Sequence, residues 1–389
     1  MKKNICIITG TRAEYGLLYP LIKKISEDDR LNSQLVVTGM HLSPEFGLTY
    51  KQIEEDGYKI DEKVEILLSS DTSIGISKSM GLAMISFSEV FDRLKPDMVV
   101  VLGDRYEIFS AVSVASISRI PVCHLHGGET TEGAFDENLR HSITKMSYLH
   151  FTSTEEYRKR VIQLGESADR VFNVGAIGIE NIKKMNLLSK EELEESINFK
   201  LDKKYAIVTF HPVTLENNTA KDQFKELLLA LYNIKDLKVI FTKANSDTDG
   251  RIINKMIDEF VLNDKERFIA FTSMGSLRYL SAIKYSDVVI GNSSSGIVEV
   301  PSFNKPTINI GDRQKGRIQA KSIINCEPVK NDIENAIEKA LSKEFLENIK
   351  DVKNPYGEGN VSDKIIEKIK YFLENDKINL KKKFYDLEF

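Results

Sequence analysis

At 389 residues, 41% hydrophobic, with 54 basic against 58 acidic side chains, the chain is long enough for two domains with ordinary cores and lacks the basic excess that a nucleic-acid partner demands. Its three cysteines (Cys6, Cys123, Cys326) are odd in number, far apart and set in apolar runs. They read as buried thiols of a reducing cytosol, not as a disulfide framework or a zinc cluster. No apolar run approaches the ~20 residues of a membrane span, and the first ten residues read as a strand, not as a signal peptide.

Asn4–Thr9 is a short apolar run, expected as a buried strand, and 9–16 (Thr-Gly-Thr-Arg-Ala-Glu-Tyr-Gly) is expected as a turn. Helical spacing follows over Leu17–Ser26, then a strand at Leu35–Thr38, an amphipathic helix at Met80–Leu94 before Pro96, and a strand at Met98–Leu102. Glu107–Ser118 is a small-residue helix, Pro121–Leu125 a strand, Leu139–Tyr148 a helix and His150–Thr152 a strand. The pattern restarts after Gly175. Strands are expected at Tyr205–Phe210, Lys238–Thr242, Phe268–Phe271, Val288–Ile290 and Thr307–Ile310, and helices at Lys221–Tyr232, Ile252–Leu262 and Ser276–Tyr285. This alternation predicts an α/β protein of two Rossmann-like, doubly wound domains, 1–172 and 173–363, with a ligand in the cleft between them. An amphipathic C-terminal helix in 364–389 is expected to pack back on the first domain.

The chemistry concentrates where apolar runs end. Gly10-Thr-Arg12-Ala-Glu-Tyr-Gly16 occupies the place of a phosphate loop, yet it is neither G-x-G-x-x-G nor a Walker A loop. That weakens the dehydrogenase and NTPase readings. It leaves a backbone-and-Arg12 contact to a diphosphate, or a tight turn with a solvated arginine. Gly103-Asp104-Arg105 offers Arg105 to a phosphate, or forms a structural ion pair. His124-x-His126 with Glu129 invites a zinc reading, but the spacing and the neighbouring glycines suit a sugar better. His126 then reads as an acid/base or sugar contact and His124 as a core histidine. Asp136 and Glu137 precede a helix, as charges at its start or as working carboxylates. His211-Pro212 ends the first strand of the second half. Gly291-Asn-Ser293-Ser294-Ser-Gly296 opens a helix, either as an anion site with Glu299 on a ribose or as a simple cap.

Taken together, 10–16, Gly39-Met-His-Leu42, Gly103-Asp-Arg105, His126-Gly-Gly-Glu129, Arg140-His-Ser-Ile-Thr-Lys145, His211-Pro212, Gly291-Asn-Ser-Ser294, Glu299 and 311–317 resemble the hydrolysing UDP-N-acetylglucosamine 2-epimerases of bacterial sialic-acid and capsule biosynthesis. The order and spacing of these motifs, over nearly the whole chain, make the match specific. The resemblance implies a glycosyltransferase-B-like fold and a substrate, UDP-N-acetylglucosamine, that leaves as UDP and N-acetylmannosamine through a glycal. Asp104 and Asp136 match the family's catalytic carboxylates and His211 its cleft histidine. Arg12, Arg105, His211, Asn245, Met274, Ser293, Ser294, Glu299 and Arg313 match its UDP contacts. The mammalian-type enzymes carry Glu where this chain has His126, which opens a proton-carrying role to Glu129 as well. The resemblance also implies a cytoplasmic homodimer or homotetramer with no metal, no cofactor, no nucleic acid and no membrane. A 2,4-diacetamido-trideoxy UDP-sugar is the alternative substrate, and a non-catalytic nucleotide-sugar-binding protein or a glycosyltransferase the alternative class.

Overall fold

Among the described residues, thirteen strands, all paired in parallel, form two sheets. The structure is a computed structural model that describes residues 2–68, 70, 72–132, 134–213, 219–244, 250–374 and 377–387. The chain divides into two units: 1–129, 136–183 and 356–389 in the first, and 130–135 with 184–355 in the second.

In the first unit the chain order is β1 (Lys3–Thr9), α1 (Arg12–Glu27), β2 (Leu31–Thr38), α2 (Tyr50–Glu55), β3 (Glu62–Val64), α3 (Ser73–Leu94) and β4 (Met98–Leu102). It continues as α4 (Tyr106–Ile117), β5 (Val122–Leu125), α5 (Asp136–Met146), β6 (Leu149–Thr152), α6 (Glu155–Gln163), β7 (Val171–Asn173) and α7 (Ile177–Lys184). The second unit holds α8 (Lys190–Ile197), β8 (Lys204–Thr209), α9 (Ala220–Asn233), β9 (Leu237–Thr242), α10 (Gly250–Val261), β10 (Phe268–Phe271) and α11 (Gly275–Tyr285). Then come β11 (Val288–Gly291), α12 (Ser294–Val298), β12 (Thr307–Ile310), β13 (Ile323–Cys326), α13 (Lys330–Ala340) and α14 (Lys343–Asn348).

The first sheet runs β3-β2-β1-β4-β5-β6-β7 and the second β10-β9-β8-β11-β12-β13. The strand order reverses once in each, between β1 and β4 and between β8 and β11. Open α/β sheets form a ligand crevice at such a point, outside the carboxyl ends of the strands. Strands covered by helices on both faces need apolar side chains on both faces, and β4 is buried along its whole length. Its alternate residues Val99 and Val101 join one core, Met98 and Val100 another.

Several boundaries differ from the sequence expectation, each for a local reason. Helix α1 starts at Arg12 and not at Leu17, because the Thr11 hydroxyl accepts from the Glu14 N–H at 3.2 Å while the Glu14 carboxylate accepts from the Thr11 N–H. Asp136 and Glu137 are the first turn of α5 and do not precede it. Strands β3 and β13 were not expected: each is a sheet edge, only part-buried, so neither shows a continuous apolar run. The first unit extends to Lys183, because β7 pairs with β6, and not to 172. The C-terminal helix is Val361–Glu374, and its Ile365, Ile369 and Phe372 join the core of α1. Cys6 and Cys123 are buried, as the cysteine pattern implied, but Cys326 on the edge strand is only partly so. Among the described residues no helix is long and apolar enough to cross a membrane.

Candidate active site

In the first unit the two loops at the β1/β4 reversal carry the arginines singled out by the sequence. The Gly10–Thr11 turn delivers Arg12 as the first residue of α1. Gly103, at φ +79°, turns the chain out of β4, and Arg105 caps α4 in an extended conformation. His124 holds that turn. Its Nε2 is 2.7 Å from the Gly103 carbonyl, which can only accept, so Nε2 carries the proton and Nδ1 accepts from the Thr144 hydroxyl at 3.2 Å. Burial drives the imidazole down to about 3, so His124 is a neutral core residue, as its apolar surroundings suggested.

Asp104 forms an ion pair with Arg140 of α5. The buried Arg140 guanidinium also donates to Glu137 Oε2 at 2.8 Å and to the Glu129 carbonyl at 2.9 Å. One arginine therefore ties together the strand end that carries Asp104, the loop that carries Glu129 and the helix that begins at Asp136. The role of Arg140 was not legible in the sequence, because residues 36 apart declare no partnership. Asp136 is part-exposed on the first turn of α5.

His126 has φ +65°, a left-handed conformation that a non-glycine residue adopts only when its surroundings impose it. Its backbone N–H donates to the Phe151 carbonyl at 2.8 Å. The ring Nε2 accepts from the Ile177 N–H at 3.3 Å, so the proton sits on Nδ1, 3.0 Å from Glu129 Oε1. Ser153 donates to the same carboxylate oxygen at 2.7 Å. The structure thus joins His126 and Glu129 as a pair. His124 spends both nitrogens elsewhere, so the two imidazoles do not converge, and among the described residues no metal-ligand cluster gathers.

In the second unit, Gly291 and Asn292 shape the site at the β8/β11 reversal. A Cβ on Gly291, at φ +135°, would lie 1.9 Å from the Thr209 carbonyl oxygen, so the close approach of the two strand ends requires glycine. The buried Asn292 side chain accepts from the His211 N–H at 2.7 Å and donates to the His211 carbonyl at 2.8 Å. Its own carbonyl accepts from Arg313 at 3.1 Å and Gln314 at 2.8 Å. Asn292 and Gln314 therefore set His211 and Arg313 in place. Sequence reasoning gave neither a role, since both side chains act on backbone atoms of other residues. Ser293 caps α12, with its hydroxyl 3.4 Å from the Ser295 N–H, and Ser294 is exposed. Helix α12 is a single turn, so Glu299 lies just past its end and not within a longer helix. Met274 is buried at the start of α11 and its carbonyl accepts from Arg278 at 2.7 Å. Asn245 lies outside the described residues.

The model of a protein family described as UDP-N-acetylglucosamine 2-epimerase matches residues 23–370. A Campylobacter jejuni protein named GDP/UDP-N,N'-diacetylbacillosamine 2-epimerase (hydrolyzing) is 49% identical over 347 residues, 89% of this chain and 90% of its own. The Escherichia coli polysialic acid biosynthesis protein P7 is 43% identical over 386 residues, 99% of this chain and 98% of its own. In fold, the chain resembles the Neisseria meningitidis UDP-GlcNAc 2-epimerase solved with UDP-GlcNAc, with a TM-score of 0.79 at 19% identity over 94% of this chain and 99% of that one.

Proposed function

The chain belongs to the UDP-N-acetylglucosamine 2-epimerase family, and from that premise we propose that it is a hydrolysing 2-epimerase that takes UDP-N-acetylglucosamine and water to UDP and N-acetylmannosamine. The observation that carries the reading is the acid-rich cluster at the ends of β4 and β5. There Arg140 links Asp104, Glu137 and the Glu129 loop, and His126 pairs with Glu129.

The reaction breaks the C1–O bond to the diphosphate and removes the C2 proton, which leaves a glycal. Water then adds its oxygen at C1 and a proton at C2 on the opposite face. Such a sequence needs a held diphosphate, a group that steadies positive charge at the ring, and proton carriers for C2. In this reading Arg12, Arg105, Ser293, Ser294 and Arg313 hold the diphosphate. Glu299 takes the ribose, and Asn245 and Met274 complete the nucleotide site. Asp104 and Asp136 serve the ring carbons. His126, its Nδ1–H oriented on Glu129, exchanges the Ile177 amide for the C2 proton at Nε2. His211 supplies a second proton-bearing group. The product supplies sialic-acid assembly, a reading that the 43% identical polysialic acid protein supports over 98% of its length.

A second reading keeps the reaction and changes the substrate to UDP-2,4-diacetamido-2,4,6-trideoxyglucose. The 49% identical relative favours it, since its name carries that sugar class. Both sugars should be supplied in deuterated water. Release of UDP with one deuterium at C2 of the product supports the reaction, and the higher kcat/KM names the substrate. A product that keeps its original C2 hydrogen rules the mechanism out. Asp104→Asn should lower kcat by ~10²-fold or more with UDP affinity little changed.

A further inference from the structure

Two carboxylic acids that the proposed reaction does not use lie behind the turn that carries its arginines. Glu107 is fully buried at the start of α4 and accepts from Arg105 Nε at 2.7 Å. A Cβ placed on Gly10 would lie 2.5 Å from Glu107 Oε1 and 2.7 Å from its Cγ. The side chain of Glu107 is thus packed flat against the Gly10 backbone. Glu14 approaches from α1: its Oε2 accepts from the Gly10 N–H at 2.6 Å and from the Thr11 N–H at 3.2 Å. The Gly10 carbonyl in turn accepts from the His41 N–H at 3.3 Å.

We infer that Glu107, backed by Glu14, is a positioning residue that presets Arg105 and the Gly10–Arg12 turn as one rigid anion-binding unit. The inference rests on the assignment of Arg105 to the diphosphate. A guanidinium that bonds a buried carboxylate through Nε has its Nη groups aimed by that bond, so less side-chain freedom is lost when a phosphate arrives. Glu107 does this from a place where it cannot swing out, because Gly10 leaves it no more room than a missing Cβ provides. Glu14 performs the matching task on the backbone, fixing the two N–H groups that begin the turn. Two acids against one arginine would repel the diphosphate if both were charged. Burial and the Glu107 charge push the Glu14 carboxyl up to about 7, with Arg105 and the two N–H groups pulling back, so the pair keeps a proton near neutrality.

The inference separates reach from charge. Glu107→Gln keeps an acceptor oxygen at the same place without the charge. Glu107→Asp keeps the charge but is one methylene too short to reach Arg105. UDP affinity measured by calorimetry should fall ~10-fold or more in Arg105→Ala and nearly as far in Glu107→Asp, as expected for a lost charge-assisted contact. It should stay within about threefold in Glu107→Gln. The double variant Glu107→Asp/Arg105→Ala should bind no more weakly than Arg105→Ala alone, because both changes remove the same contact. Losses that multiply in the double variant, or an order in which Asp is harmless and Gln damaging, overturn the positioning role. If Arg105→Ala itself leaves UDP affinity unchanged, the diphosphate assignment falls and the inference falls with it. A strong Arg105→Ala effect beside a silent Glu107→Asp overturns the inference alone.

Discussion

Two buried carboxylates of the first unit, Glu14 and Glu166, meet opposite fates although each is almost wholly removed from water. Glu14 shares its pocket with a second acid, Glu107, and one arginine. Glu166 lies beneath the C-terminal tail with Lys145 at 2.6 Å, Lys382 at 3.0 Å, His150 at 3.2 Å and Arg170 at 3.6 Å. Burial acts to raise both. At Glu14 the neighbouring acid adds to it and the carboxyl rises to about 7. At Glu166 burial is overcome by the His150 hydrogen bond and the two lysines, and the carboxyl falls to about 2. Which charges the fold gathers around an acid, and not depth alone, decides its protonation. The two clusters differ in place: the Glu166 cluster fastens a tail, whereas the Glu14 pair lies behind the turn proposed above to hold an anion.

The comparison can be broken most forcefully at Glu166. Glu166→Ala strands Lys382 and Arg170 in a buried site, and urea denaturation should show a loss of about 3 kcal/mol, with the part-exposed Lys145 relieving some of the strain. A loss below about 1 kcal/mol would mean that the tail is held by its apolar contacts instead.

Next in size is the dependence on pH. An acid whose folded pKa is raised lends stability at low pH that is lost as pH rises from its unfolded value toward the folded one, here from about 4.5 to about 7. An acid whose folded pKa is depressed lends stability above its unfolded value that is lost as pH falls from about 4.5 to about 2. Glu14→Gln should therefore gain on the parent protein by on the order of 2 kcal/mol between pH 4.5 and 7.5. Parallel stability curves for the two proteins would sink the opposition drawn above.

Lys382→Met tests the tail from its own side. Lys382 Nζ also donates to the Lys145 carbonyl at 2.8 Å and the Ser147 carbonyl at 2.6 Å, so the loss should be about 1–2 kcal/mol. It should bring faster proteolysis of 377–387. The smallest effect is expected at Arg93→Ala. That change removes an exposed ion pair with Glu62 and should leave the denaturation midpoint unmoved, which would confirm that burial gives the two clusters their weight.

Much of the candidate site was legible because the residues proposed for it lie at strand ends, and strand ends show in sequence as apolar runs that stop at glycine and charge. Asp104, Arg105, His126, Glu129 and His211 were each found that way. Thr11-x-x-Glu14 is itself a capping-box signature, so the early start of α1 was open to reading and was passed over in favour of a phosphate-loop turn. Arg140, Asn292 and Gln314 stand in motifs that were recognised, but their structural roles, like that of Glu107, were not legible. Arg140, Asn292 and Gln314 act on neighbours that only folding brings near, and Glu107, though two residues from Arg105, also packs on Gly10 from another strand end.

The sequence by itself determined the alternation of strand and helix, the two parallel sheets and the residues at their carboxyl ends, since periodicity and the placement of glycine are local properties of the chain. Tertiary structure alone decided the rest. The neutral state of His124 and its hold on Gly103, the left-handed turn that pairs His126 with Glu129, and the opposite protonation of Glu14 and Glu166 each depend on burial and on charges supplied from distant segments. Burial and long-range electrostatics are properties of the packed molecule, and a linear order of residues does not contain them.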